Sequence, residues 1–140
     1  MTAYNVGFYS VYEPVRSRQM DIVLTPSWTP TTLAINDTYT FCWIPAGATL
    51  ISVGFIFGAM DTNVTPLLSF DLGDSSSATK YFTADTTGRA GGSLTTSVST
   101  TPVYYSAADN LVLKVHAAAA TAALVVIRTY VNYSLDGVVG

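Results

Sequence analysis

The chain has 140 residues, a formal net charge of −3 and a hydrophobic fraction of 49%. This length supports one domain with a substantial core, and the apolar content excludes a disordered chain. Only 11% of the residues are charged, which is under half the ~25% of an ordinary globular protein. Six basic residues against nine acidic ones argue against nucleic-acid binding, because its affinity comes mostly from Lys and Arg contacts with phosphates.

The sequence contains no segment that predicts a membrane partner. The longest apolar stretch, Ala117–Ile127, is shorter than the ~20 residues that a transmembrane helix needs. Residues Met1–Tyr12 lack the basic start and the apolar core of a signal peptide. Cys42 is the single cysteine, so an intrachain disulfide is excluded.

The residue types predict an all-β fold. The chain has one glutamate and two lysines, so it cannot supply the charged outer surface of ordinary helices. Ser and Thr make up about a quarter of the residues, and Val, Ile and aromatic residues fill much of the rest, which is the composition of strands. A surface with so little charge also indicates that neighbouring molecules cover much of it.

Alternation of apolar and polar residues marks five strong strands, whose apolar residues are expected on the buried face. In chain order, these apolar sets are Tyr39, Phe41 and Trp43; Ile51, Val53, Phe55 and Phe57; Leu68, Phe70 and Leu72; Leu111, Leu113 and Val115; and Val125, Ile127, Thr129, Val131 and Tyr133. Weaker strands are predicted at Met20–Leu24, Tyr81–Thr83 and Val103–Tyr105.

Turn signals separate these strands. Residues 45–47 (Pro-Ala-Gly) predict a tight connection, residues 73–75 (Gly-Asp-Ser) end a strand, and residues 84–92 form a longer loop. The alanine-rich residues 117–123 are interpreted as a hairpin turn between the last two strands, with a short helix as the alternative because Ala is the best helix former. About eight strands at this spacing predict an antiparallel β-sandwich of the jelly-roll type.

The first 30 residues differ from the rest because they combine aromatic residues with arginines, which are enriched at protein interfaces. We interpret residues 1–30 as an N-terminal arm or extended segment that reaches a neighbouring molecule, and residues 31–140 as the β-sandwich domain. An edge strand followed by a loop is the alternative for the N-terminal segment. The predicted contact residues are Tyr4, Phe8, Tyr9, Tyr12, Arg16 and Arg18.

The sequence offers few groups for catalysis or metal binding. His116, the single histidine, is placed on the outward face of its strand, and no carboxylate or nucleophile near it in sequence completes a catalytic triad. Cys42 lies in an apolar strand and is predicted to be a buried, inert thiol. Asp71, Asp74 and Ser75 are interpreted as a turn that closes a strand rather than as a calcium site. We therefore predict no catalytic residue, no metal and no cofactor.

Several segments resemble small structural proteins of tailed bacteriophages, a group that includes head decoration, or cement, proteins. The similarity extends over roughly residues 40–135. Its segments are Ile44–Thr49, Phe70–Ser75, Lys80–Phe82, Val103–Tyr105 and Val125–Tyr133. The resemblance implies a β-sandwich or jelly-roll body, self-association commonly as trimers, and binding to the outer shell where subunits of the major capsid protein meet.

On this resemblance, the leading hypothesis is a non-enzymatic cement protein that is made in the host cytoplasm, binds the outer capsid lattice and stabilises the head. Its expected partners are copies of itself and the major capsid protein. Two alternatives remain open. One is another virion part, such as a head-fibre base, a tail module or a baseplate module. The other is a carbohydrate-binding β-sandwich, in which Trp28 with Tyr104 or Tyr105 would form the aromatic platform.

Overall fold

A computed structural model describes residues 2–5, 20–24, 27–97 and 103–135. These residues form eleven strands and no helix, so none of the described segments is a helix that could cross a bilayer. The strands are β1 (Ala3–Asn5), β2 (Met20–Leu24), β3 (Ser27–Trp28), β4 (Thr38–Ile44), β5 (Ala48–Phe57), β6 (Ser69–Asp74), β7 (Phe82–Asp85), β8 (Gly92–Ser97), β9 (Val103–Tyr105), β10 (Asp109–Ala117) and β11 (Ile127–Leu135).

The strands form two sheets. The first has the order β1-β4-β10-β6-β7, and the second has the order β2-β11-β5-β8, with β3 paired to β11 and β9 paired to β5. The described pairings are antiparallel except that of β1 with β4. The prediction of an all-β protein with mostly antiparallel sheets is therefore confirmed. The strands that the sequence did not predict are β1, β3 and β8, which are short or poor in apolar residues.

The two sheets pack face to face through aromatic rings. Phe55 of the second sheet lies 5.4 Å from Phe41 and 6.1 Å from Phe82, both of the first sheet, measured between ring centroids. Phe57 stacks on Phe70 across the same interface at 5.3 Å. Side chains from both inner faces interdigitate to form the core of a sandwich, and large rings bury the most apolar area.

A β-bulge in β4 changes which residues face this core. The register between β4 and β10 shifts at Phe41, which has no partner of its own. Tyr39 and Phe41 are buried before the shift, whereas Cys42 and Ile44 are buried after it. Trp43 is only half-buried, so the prediction that it belongs to the buried face is wrong. The cause is the extra residue, which reverses the alternation.

A second bulge lies in β5. The register with β11 passes from Leu50 to Ser52 and leaves Ile51 unpaired. Leu50 and Val53 are buried, whereas Ile51 is half-buried, so the predicted inward position of Ile51 is also wrong. A period of two in the sequence cannot reveal an inserted residue, because the insertion is defined by the partner strand.

The alanine-rich stretch after β10 joins the two sheets and does not form the predicted hairpin. β10 lies in the first sheet and β11 in the second, so the two strands are not neighbours. The N–H of Ala123 donates to the carbonyl of Met60 at 3.0 Å, and Ala122 forms an isolated bridge with Asp61. The hairpin prediction is wrong because these contacts hold the stretch against the loop that follows β5. The short-helix alternative is wrong as well, since residues 118–126 contain no helix.

Truncation of Phe55 tests the placement of the core. We expect Phe55→Ala to lower the free energy of unfolding by about 3–5 kcal/mol, because it removes a ring that touches three others. The matched control is the adjacent residue Ile56, which points outward with 39% of its surface exposed. Ile56→Ala is expected to cost less than about 1 kcal/mol in the same urea titration. Equal losses for the two variants would contradict the placement of these residues.

Candidate functional site

The sandwich has two ends with different surfaces. At one end, named here the apolar end, lie the loops of residues 29–37, 58–68, 86–91 and 118–126. At the opposite end, named the polar end, lie the loops of residues 45–47, 75–81 and 106–108.

The apolar end displays aliphatic side chains to solvent. Where burial is described, eight large apolar side chains are exposed, and five of these belong to loops of this end. Val64 is fully exposed, at 101%. The other four are Ile35, Leu67, Leu124 and Val126. Exposed apolar side chains concentrated at one end of a domain mark an interaction site more often than scattered single residues do.

Charge is almost absent from the same loops. Residues 29–36, 62–68 and 118–126 contain no Asp, Glu, Lys, Arg or His. The two carboxylates that adjoin these segments, Asp37 and Asp61, are buried. These three loops therefore present a surface that is both apolar and uncharged, whereas the fourth loop of this end carries the half-buried Arg89.

Asp61 is the residue that fixes these loops. Burial alone would raise the pKa of Asp61, but the hydrogen bonds from backbone N–H groups outweigh it and lower the pKa well below its ordinary value. The carboxylate thus stays ionised inside the protein and joins the loop after β5 to the alanine-rich stretch. It accepts hydrogen bonds, at 2.8–3.3 Å, from the N–H groups of Asn63, Leu67, Leu68, Ala120 and Thr121.

Two further charged residues hold the loops of the apolar end from other sides. The Arg89 guanidinium donates from Nε to the carbonyl of Leu68 at 2.8 Å. Asp37 accepts hydrogen bonds from Thr32 Oγ1 at 2.9 Å and from the N–H of Ala34 at 3.2 Å, which fixes the loop that carries Ile35. Each charge is matched by protein groups, as a buried charge requires.

The polar end is organised by Asp74. Burial would raise the pKa of Asp74, but hydrogen bonds from Lys80, Ser76 and Tyr105 outweigh it and lower the pKa to about 2. Lys80 Nζ lies 2.7 Å and the Tyr105 hydroxyl 2.8 Å from Asp74 Oδ2. The hydroxyl groups of Tyr105 and Tyr81 are also hydrogen-bonded to each other. These contacts close the turn after β6, as predicted for residues 73–75.

The structure pairs His116 with a carboxylate that the sequence did not place there. His116 Nδ1 lies 2.9 Å from Asp71 Oδ1, and the side chain of His116 is 44% exposed, as expected for an outward position. Asp71, 1% exposed, also accepts a hydrogen bond from the N–H of Ala84 at 2.8 Å. The sequence analysis considered only residues close to His116 in the chain, whereas His116 and Asp71 are 45 residues apart and meet across β6 and β10. Among the described residues, the hydrogen-bond partner of the His116 ring is the Asp71 carboxylate, which is not a hydroxyl or thiol nucleophile.

Cys42 and the predicted turn aspartates give no reactive or metal-binding site in the described ranges. Cys42 is buried as predicted, and burial raises the pKa of its thiol to about 12, so it stays protonated. No group of three or more His, Cys, Asp or Glu residues that could hold a metal occurs within the part of the chain that the structure describes.

The aromatic platform of the carbohydrate-binding alternative does not form as predicted. Trp28 and Tyr105 are only 7% and 6% exposed, because Trp28 stacks on Tyr39 and Tyr105 belongs to the Asp74 cluster. The prediction that either ring is a platform is therefore wrong. Tyr104 is exposed, and a shallow depression of about 210 Å³ lies beside another exposed ring, Tyr130.

Of the six predicted contact residues, Tyr4 lies among the described residues. It is half-buried in β1 and stacks on Tyr39 with ring centroids 5.1 Å apart, so it also stabilises its own sheet. The parts of the predicted arm that are described form β1, β2 and β3. Intermolecular contact by the six residues stays a prediction. The other five, Phe8, Tyr9, Tyr12, Arg16 and Arg18, lie outside the described residues.

Three solved structures of phage capsids contain chains with this fold. The chain matches one from the capsid of Ralstonia phage GP4 with a TM-score of 0.76 and 17% identity, over 99% of both chains. For the capsid asymmetric unit of cyanophage Pam1 the TM-score is 0.67 and the identity 26%, over 91% of both chains. For the acid-stable capsid of Helicobacter pylori bacteriophage KHP30 the TM-score is 0.60 and the identity 16%, over 84% of this chain and 94% of the other.

The three matches show how much of the fold this chain shares with the capsid chains. Because each match covers most of both chains, the similarity concerns the whole fold and not a single motif. The chain therefore has the all-β fold of small chains that occur in phage capsids. No family model matches the sequence, and no curated protein matches it.

The buried carboxylates predict how stability depends on pH. The pKa values of Asp61 and Asp74 are lowered in the folded protein, whereas the value for an unfolded chain is about 3.9. Below about pH 4 the unfolded chain therefore binds protons that the folded chain does not, and the stability from these groups is lost as the pH falls. We expect the melting temperature to fall steeply between about pH 4 and pH 2.

The variant Asp61→Asn tests whether Asp61 causes this loss of stability at low pH. It is expected to melt lower at pH 7, because an amide presents one acceptor oxygen to five N–H groups, and to lose less stability between about pH 4 and pH 2 than the wild type. The control is Thr83→Ala at the exposed Thr83 of β7, which carries no charge in this pH range and should keep the wild-type dependence. A wild-type slope in Asp61→Asn would contradict the role of Asp61.

Proposed function

We propose that this protein is a non-enzymatic structural component of a phage capsid, and that it binds the outer surface of the head and stabilises it as a decoration protein. The observation that carries the proposal is the match to a chain of the cyanophage Pam1 capsid, at 26% identity over 91% of both chains. The apolar end supports it, because an exposed aliphatic cluster without charge suits a protein that is covered in an assembly.

The body of the protein is proposed to be a jelly roll. Eight of the strands pair in nested order: β2 with β11, β4 with β10, β5 with β8, and β6 with β7. A long hairpin that folds over on itself produces this order and distributes its strands between two sheets, which supports the jelly-roll assignment.

The proposed partners are the major capsid protein and copies of this chain, assembled as a trimer. A protein that binds the assembled lattice and not its free subunits stabilises the lattice by mass action. Many equivalent sites on one shell multiply a modest contact. The protein would be made in the host cytoplasm and would reside on the outer surface of the virion.

The N-terminal segment is proposed as a second contact with the capsid or a neighbouring subunit. Arginine and aromatic residues are enriched among residues that dominate binding energy, and Phe8, Tyr9, Tyr12, Arg16 and Arg18 provide both types. Removal of residues 1–19 would also delete β1 and the stacking of Tyr4 on Tyr39, so point substitutions test this contact more cleanly.

Addition of the purified protein to heads that lack it tests the proposed function. We expect saturable co-sedimentation with heads, no co-sedimentation with isolated tails, and a higher temperature of head disruption in the presence of the protein. The heads are those of the phage that carries the gene, prepared without this protein. Absence of head binding, or binding to tails alone, would contradict the decoration role, and tail binding would favour another virion module.

Neutralising the two N-terminal arginines tests the second contact. The double variant Arg16→Ser/Arg18→Ser is expected to bind heads about 10-fold or more weakly, which corresponds to ~1.4 kcal/mol or more. The control Lys114→Ser removes one positive charge from the half-buried Lys114 of β10 and should bind like the wild type. If the double variant binds heads with unchanged affinity, Arg16 and Arg18 do not take part in the contact.

A further inference from the structure

We propose that the apolar end is the surface that docks on the capsid lattice, and that it meets an uncharged, apolar patch formed between capsid subunits. This inference rests on the proposed function and adds to it the orientation of the protein on the head. Three features of the described residues and one comparison carry it: exposed aliphatic side chains, three loops without charge, loops that are fixed in advance, and the similarity to a chain of a phage capsid.

Because of the first two features, removing the apolar end from contact with water costs little free energy. Docking a charged surface requires that its ions lose hydration, which costs free energy unless each ion finds a partner. The loops of residues 29–36, 62–68 and 118–126 contain no ion, and the nearby Asp61 is already satisfied by backbone N–H groups. At the polar end, by contrast, the side chain of Lys80 is 34% exposed.

The third feature is that the aliphatic side chains stand on loops held by internal bonds. Asn63 Oδ1 accepts a hydrogen bond from the N–H of Thr65 at 2.9 Å, which forms a turn with Val64 at its tip. Asn63 Nδ2 donates to Thr121 Oγ1 at 3.0 Å, and the N–H of Thr62 donates to the carbonyl of Thr121 at 2.9 Å. A surface that is already ordered loses little entropy on binding.

The similarity to a capsid chain favours a lattice over a second free copy as the occupant. The matched chain of the cyanophage Pam1 capsid, at 26% identity over 91% of both chains, belongs to an assembled shell. A modest contact is sufficient on a shell, because a second contact and many equivalent sites act together.

Charge substitution at the apolar end tests the inference. Val64→Asp and Leu124→Asp place a carboxylate on side chains that are 101% and 46% exposed, so little packing is lost. The matched control is Tyr104→Asp, at an exposed ring of the polar end. We expect the double variant Val64→Asp/Leu124→Asp to bind heads at least about 100-fold more weakly, and Tyr104→Asp to bind within about 3-fold of the wild type.

A second measurement distinguishes weaker binding at the apolar end from loss of folding. The single variant Val64→Asp, at the fully exposed position, should melt within a few degrees of the wild type and should still bind about 10-fold more weakly. Wild-type affinity in both apolar-end variants, or a loss confined to Tyr104→Asp, would overturn the assigned orientation while leaving the proposed function intact. If the wild-type protein binds no heads, both proposals fail.

The same variants separate a lattice from a second copy. The wild-type protein and Val64→Asp should show the same mass in solution at micromolar concentration, because the apolar end is free in both. If the wild type self-associates, and if the Val64→Asp variant is monomeric but binds heads like the wild type, the occupant is a second copy and the inference is overturned.

Discussion

The structure depends on buried aspartate carboxylates, whose hydrogen bonds with backbone N–H groups hold its loops in place. Six aspartates have described burial, and four of them, Asp37, Asp61, Asp71 and Asp74, are between 1% and 5% exposed. A buried carboxylate is costly unless hydrogen bonds satisfy it, and each of these accepts bonds from the backbone. They fix the loops at both ends of the sandwich and a bulge between β6 and β7. Loss of one anchor would release the segments that it joins.

The same arrangement explains the surface. A chain with 11% charged residues that buries several of its acids presents a surface with still less charge than its composition indicates. Solubility of a free molecule favours the opposite distribution. An uncharged exterior with aliphatic side chains at one end is consistent with a protein that functions in contact with neighbours. The ion pair between Asp74 and Lys80 lies at the opposite end of the sandwich from that surface.

Much of the fold was predictable from the sequence because alternation reports burial directly. The inward faces of β10 and β11 follow the predicted residues from Leu111 to Val115 and from Ile127 to Tyr133. The bulges at Phe41 and Ile51 were not predictable, since a partner strand defines them. For the candidate site, Val64 and Leu67 lie in an uncharged stretch that the sequence already displays. The role of Asp61 was not visible, because two of its donors, Ala120 and Thr121, lie 59 and 60 residues away.

Hydrogen exchange of backbone amides, measured for the free protein and for the protein bound to heads, tests the central claim most directly. If the apolar end faces the lattice, amides in residues 62–68 and 118–126 that are open to solvent in the free protein gain protection on binding, and those in residues 75–81 do not. Protection confined to residues 75–81, or no change in any loop of a protein that is bound, would contradict the claim.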